Sequence, residues 1–120
     1  LLIVEDEEMA REVLVQALEA MGFDTLAAGN GREALEVLKS NEVDLIVSDI
    51  YMPLMNGLDL LRTLRQEGSS VPVILITGFD PTDAYQIARE HGASGILVKP
   101  FRLMQLRGAI DDVFAAQTGV

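Results

Sequence analysis

The chain has 120 residues, 49% of them hydrophobic, which suits the core of one compact domain and leaves no room for a second. Nineteen acidic against nine basic residues give a formal net charge of −10, which repels a phosphate backbone and an anionic membrane surface and argues against direct nucleic-acid or membrane binding by these residues. Cysteine is absent, so disulfides and thiolate metal sites are excluded and a reducing cytoplasm is permitted, and no apolar run has the length of a membrane span or the form of a signal peptide.

These features predict one soluble, cytoplasmic domain over residues 1–120. The first residue is Leu1 rather than Met, and the opening Leu-Leu-Ile-Val run looks like the interior of a folded element, so the chain is expected to be a piece of a longer protein.

In chain order, the apolar run Leu1–Val4 predicts a first strand. A helix follows with Met9, Val13, Ala17, Leu18 and Met21 on one face, stopped by Gly22. Phe23–Ala28 is a weaker strand, and Ala34, Leu35 and Leu38 mark a shorter second helix. Leu45–Val47 is the third strand, and Leu58, Leu61 and Leu64 give the third helix. Val73–Ile76 is the fourth strand, with Ala84, Ile87, Ala88 and His91 in the fourth helix. Ile96–Val98 closes the set of strands before a fifth helix through Leu103, Leu106, Ile110, Val113 and Phe114. The strands are continuously apolar rather than alternating, as expected of strands covered on both faces. Strict strand–helix alternation through five units predicts a single doubly wound α/β fold, a five-stranded parallel sheet with strand order 2-1-3-4-5.

In such a sheet ligands bind beyond the carboxyl ends of the strands, where strand order reverses, here between strands one and three. Strand one runs into Glu5, Asp6, Glu7 and Glu8, strand three into Ser48-Asp49, strand four into Thr77-Gly78 and strand five into Lys99-Pro100. Glu5, Asp6 and Asp49 on one rim would repel one another unless a hard divalent cation meets their charge. Mg²⁺ uses few carboxylates, keeps several waters and leaves room for phosphate oxygens, so the rim suits phosphoryl transfer. Lys99 adds a positive charge, Thr77 a hydroxyl donor, and Asp49 is left as the nucleophile that would form an aspartyl-phosphate.

Four strings, Leu-Ile-Val-Glu-Asp-Glu, Asp-Leu-Ile-Val-Ser-Asp-Ile-Tyr-Met-Pro-Leu-Met-Asn-Gly, Ile-Leu-Ile-Thr-Gly and Gly-Ile-Leu-Val-Lys-Pro-Phe, resemble, in order and over essentially the whole chain, the response-regulator receiver domains of two-component signalling. The resemblance implies a flavodoxin-like (βα)5 fold and a phosphorylation-dependent switch. It implies Asp49 as phospho-acceptor and metal ligand, Asp6 as a direct ligand, Glu5 acting mainly through water, and the Tyr51 backbone carbonyl as a further ligand. Mg²⁺, or Mn²⁺ in its place, is the implied cofactor. Thr77 matches the switch hydroxyl and Lys99 the phosphate-binding lysine, with a cis bond expected between Lys99 and Pro100.

The implied partners are a histidine kinase or histidine phosphotransfer domain as donor, and an output domain or target protein on the face of the fourth helix, fifth strand and fifth helix. Homodimerisation through the fourth and fifth helices is a further expectation, although Arg89, Arg102, Arg107, Asp111 and Asp112 suit a solvated face equally. Ile96 stands where the family usually has an inward-turning aromatic, which puts a rotating-ring relay in doubt. Tyr51 and Phe79 occupy positions bordering the attacking water's route, so slow self-dephosphorylation is expected, with loss of phosphate faster in Tyr51→Asn and Phe79→Ala.

Plainer readings compete. Asp49 alone would be a turn-former before Pro53 and Gly57, but Asp6 and Lys99 argue otherwise. Glu7 and Glu8 suit a helix start, His91 suits a helix end, and Met9, Met21, Met52, Met55 and Met104 suit packing. Gly29-Asn30-Gly31-Arg32-Glu33-Ala34 resembles a dinucleotide fingerprint, yet that assignment leaves Asp6, Thr77 and Lys99 without work, and the glycines are better placed in a tight turn. A docking module that no longer accepts phosphate is one alternative function. A Mg²⁺-dependent phosphohydrolase of the haloacid dehalogenase type is another, although Asp49-Ile50-Tyr51 lacks its second aspartate.

Overall fold

The computed structural model describes residues 1–78, 86 and 88–117. Its elements are β1 (Leu2–Val4), α1 (Glu8–Ala20), β2 (Leu26–Ala28), α2 (Gly31–Ser40), β3 (Ile46–Asp49), α3 (Gly57–Gln66), β4 (Val73–Thr77), β5 (Gly95–Val98) and a C-terminal helix (Leu103–Gln117). Gln86 and residues 88–90 are helical, in the place expected for the fourth helix. Phe79, Ala84 and Ile87, which the sequence pattern singles out, lie outside the described residues.

All strand pairs are parallel and the order is β2-β1-β3-β4-β5, as expected. The apolar strands feed two cores, one per face. Leu2, Val4, Ile46, Val73 and Leu75 pack with α2 and α3 residues such as Ala34, Leu60, Leu61 and Leu64. Ile3, Val47, Ile74 and Ile76 pack with Leu14 and Leu18 of α1 and with Leu106, Ile110 and Val113 of the C-terminal helix. Successive residues of one strand thus serve opposite layers, which is why the strands stay apolar up to the polar residues Ser48, Asp49 and Thr77 at their carboxyl ends.

Three expectations need correction. The second strand is confined to Leu26–Ala28, because Phe23 is taken by the end of α1. There Gly22 has φ +97° and Phe23 N–H donates to the Leu18 carbonyl at 3.1 Å. The ring then faces Phe114 with centroids 6.4 Å apart.

The buried stripe of α1 is Leu14 and Leu18, whereas Met9 is 77% and Val13 60% exposed. The helix is turned so that Leu14 and Leu18 meet the sheet with Met21 packed beside them, so Leu18 and Met21 of the expected face hold while Met9 and Val13 turn toward solvent. Leu103 and Met104 are likewise exposed rather than packed, while Leu60, not foreseen, is fully buried in α3.

Two asparagines set the helix starts around the rim. Asn30 Oδ1 accepts from Glu33 N–H at 3.0 Å and Asn56 Oδ1 from Asp59 N–H at 2.8 Å. Gly29 and Gly31 do not have positive φ. Gly31 is instead needed for close approach, since its N–H donates to the Met55 carbonyl at 3.0 Å and a Cβ would run into the Met55 side chain.

Candidate functional site

The sheet brings the strand ends predicted to matter onto one edge. Asp49 is the last residue of β3 and Thr77 the last of β4. Glu5 directly follows β1, with its N–H donating to the Ala28 carbonyl at 3.1 Å. Lys99 directly follows β5, with its N–H donating to the Thr77 carbonyl at 2.7 Å. The Lys99–Pro100 peptide bond is cis.

Glu5, Asp49 and Lys99 form a compact triad. Lys99 Nζ lies 2.7 Å from Asp49 Oδ2 and 4.0 Å from Glu5 Oε2. Tyr51 N–H donates to Asp49 Oδ1 at 3.1 Å, so both carboxylate oxygens of Asp49 are held. Glu7 N–H donates to Glu5 Oε1 at 3.2 Å. Asp49 is only 6% exposed and Glu5 3%, while the Lys99 side chain is 45% exposed and reaches the pair from the solvent side.

Burial of Glu5, followed by its hydrogen bond to Asp49 and the repulsion between the two carboxylates, pushes its pKa up to about 7, although the Glu7 N–H and Lys99 pull the other way. Burial alone would lower Lys99. The hydrogen bond and charge of Asp49, with the charges of Glu5 and Asp6 behind it, outweigh that and hold its pKa above the ordinary lysine value.

Asp6 and Thr77 complete the predicted set differently. Thr77 is buried at 1% exposure on the same edge. Asp6 is exposed in the turn leading to α1, and among the described residues no three acidic, histidine or cysteine side chains stand close enough together to hold a metal ion. The side chains that meet are therefore two carboxylates and one ammonium. With both carboxylates ionised the three groups carry one surplus negative charge, which the raised pKa of Glu5 reflects. Mg²⁺ characteristically uses one or two carboxylates and keeps several waters, so an oxygen-only pair carrying excess negative charge fits such an ion.

Two contributors were not foreseen. Gly57 N–H donates to the Ile50 carbonyl at 2.9 Å, and a Cβ on Gly57 would collide with the Asp49 carbonyl, so only glycine lets α3 start against the backbone of Asp49. The Asn-Gly pair closing the motif around Asp49 was the available signal. Arg11 reaches the Glu5 carbonyl, with Nη1 to O at 2.9 Å; nothing in the helical pattern marked it.

The remaining singled-out residues lie elsewhere. His91 stands 3.4 Å from an Arg62 guanidinium nitrogen, past the helical residues that end at Glu90. Arg107 and Asp111 lie 3.9 Å apart on the solvent face of the C-terminal helix. Ile96 pairs with Leu75 in the β4–β5 ladder and packs on the core.

Comparison with known proteins gives a consistent picture. A family model described as response regulator receiver domain matches residues 1–111. The response regulator MprA of Mycolicibacterium vanbaalenii is 35% identical over 106 residues, which cover 88% of this chain and 46% of that protein. The DNA-binding response regulator MtrA of Mycobacterium tuberculosis shows the same identity and the same coverage of both chains. The chain spans about half the length of these curated relatives. Among solved structures, the receiver domain of Francisella response regulator 1452 superposes with a TM-score of 0.91 at 29% identity, covering 97% of this chain and 96% of that one.

Proposed function

The chain belongs to the response regulator receiver domain family, and on that premise we propose that Asp49 is the residue that takes the phosphoryl group in a two-component phosphorelay. The observation that carries this assignment is the buried Asp49 carboxylate held between the Lys99 ammonium at 2.7 Å and the Tyr51 N–H at 3.1 Å, at the carboxyl edge of the sheet.

Phosphoryl transfer leaves the protein little covalent work beyond positioning and charge stabilisation. An Asp49 carboxylate oxygen attacks phosphorus, a phosphorus–oxygen bond forms, and the donor's bond to phosphorus breaks with its electron pair leaving on the donor. Tyr51 N–H fixes the rotamer of Asp49. Lys99 moves its charge from the unmodified carboxylate to the phosphoryl oxygens, and the Thr77 hydroxyl donates to one of them. Asp6, Asp49, the Tyr51 backbone carbonyl and Glu5 through water would hold Mg²⁺, or Mn²⁺ in its place. When bound, that ion supplies neutralisation of charge on the transferring group.

The domain acts as a switch rather than a metabolic enzyme, catalysing its own phosphorylation and, slowly, its own dephosphorylation. Its donor is a histidine kinase or histidine phosphotransfer domain. Its output runs through the face made by the helical residues ending at Glu90, β5 and the C-terminal helix, toward an output domain or target protein, with homodimerisation on that face as one mode. Residues 1–120 form the receiver unit of a longer protein, in line with relatives about twice its length, and nucleic-acid contact, disfavoured by the net charge of −10, falls to another domain. A cytoplasmic setting agrees with the absence, among the described residues, of any helix long and apolar enough to cross a membrane.

Intact mass after incubation with Mg²⁺ and phosphoramidate tests the proposal. One added phosphoryl group that disappears with EDTA and in Asp49→Asn is expected. A folded protein that gains none would instead be a docking module built on the receiver fold.

A further inference from the structure

We propose that Arg11 is a positioning residue for the acidic turn that follows β1, and that it strengthens Mg²⁺ binding despite carrying a like charge. The inference rests on the site assignment above. Arg11 Nη1 donates to the Glu5 carbonyl at 2.9 Å, and that carbonyl belongs to the peptide unit joining Glu5 to Asp6. The N–H of Glu5 is tied separately, to the Ala28 carbonyl at 3.1 Å. Both main-chain groups of Glu5 are thereby held, one by β2 and one by α1, and the orientation of the Glu5–Asp6 peptide determines where the Asp6 carboxylate can go.

The seat of the guanidinium is shaped by the loop after β2. A Cβ at Gly29 would stand 3.4 Å from Arg11 Nη1 and 2.9 Å from Glu33 Oε2. Glu33 in turn accepts from Gly29 N–H at 2.5 Å, fixing the loop against which Arg11 lies. The side chain is half-buried. A planar guanidinium suits this place because it donates in a fixed direction, whereas an ammonium is a hydrated point charge.

Charge and positioning predict opposite signs. A cation beside a Mg²⁺ site opposes metal binding, so losing Arg11 would tighten binding if charge were its whole effect. If Arg11 holds the turn, losing it weakens binding, by about tenfold, as is common for groups that orient metal ligands without touching the metal.

The experiment is a Mg²⁺ titration of the parent, Arg11→Gln and Arg11→Lys, followed by amide shifts of Asp6 and Tyr51 in proton–nitrogen NMR spectra. Expected are a midpoint about tenfold higher in Arg11→Gln and an intermediate one in Arg11→Lys. An equal or lower midpoint in Arg11→Gln overturns the proposal. Should Arg11→Gln not fold, Arg11→Lys decides alone, because it keeps the charge: a raised midpoint supports positioning and an unchanged one refutes it. A parent whose Asp6 and Tyr51 amides do not respond to Mg²⁺ identifies the failure as that of the metal site itself, and the proposal falls with it.

Discussion

Replacing Glu5 by Gln should abolish a pH dependence of stability that the site imposes on the metal-free domain. Folded Glu5 keeps its proton up to about pH 7, against an ordinary value of 4.5. Between those values the folded state binds more protons than the unfolded one, so the contribution of Glu5 is complete below about pH 4.5 and is lost as pH rises through 7. At roughly 1.4 kcal/mol per pKa unit, the loss between pH 5 and pH 8 comes to roughly 2 to 3 kcal/mol.

Glutamine keeps the shape of Glu5 and can still donate to Asp49, but it cannot ionise. Urea unfolding in EDTA at pH 5 and pH 8 should therefore show Glu5→Gln gaining on the parent by about 1 to 2 M in midpoint between the two conditions, given the usual urea slope of small proteins. Carboxylates remote from Glu5 and Asp49 titrate alike in both proteins and cancel in the difference, which therefore reports the coupled Glu5–Asp49 pair. A parent-to-variant difference that does not change with pH would refute the argument.

Lys99→Gln removes the ammonium 2.7 Å from Asp49 and should slow phosphorylation from phosphoramidate by about a hundredfold at saturating Mg²⁺, the scale of losing one charge-stabilising donor; a rate within threefold of the parent would contradict its assigned role. Gly57→Ala should cost about 1 to 3 kcal/mol in urea unfolding, because the atoms nearest the new methyl group are backbone atoms of Asp49 and Ile50; an unchanged midpoint would show that α3 can back away from β3. Gly108→Ala should stabilise the domain by about 0.5 to 1 kcal/mol and raise Tm by a few degrees in a thermal melt, since Gly108 is exposed within the C-terminal helix and nothing lies within 4 Å of the added Cβ.

The strand order was legible because each strand is an uninterrupted apolar run serving two layers, and because turn residues separate each strand from a helix. The positions of Asp49, Thr77 and Lys99 followed from the same logic, since a residue ending a strand of known order has one place to be. Rotation of α1 about its axis was not legible. Met9, Val13 and Ala17 make as good an apolar row as Leu14 and Leu18, and only packing between the sheet and the C-terminal helix selects one of them.

The roles of Glu5 and Asp6 were blurred for a related reason. Adjacent carboxylates look alike in sequence, yet Glu5 remains bonded to β2 and buried while Asp6 has entered the turn and is exposed. Contacts made by long polar side chains to distant main-chain groups, such as Arg11 to the Glu5 carbonyl, leave no periodic trace in the sequence at all.

The most direct test of the central claim is to locate the phosphoryl group by chemical trapping. Borohydride reduces an aspartyl-phosphate to homoserine, a stable mark that peptide mass spectrometry can place. After incubation with phosphoramidate and Mg²⁺, conversion at residue 49, and its loss in EDTA, is the predicted result. Conversion at Asp6 or another carboxylate, or none in the folded protein, would contradict the assignment of Asp49.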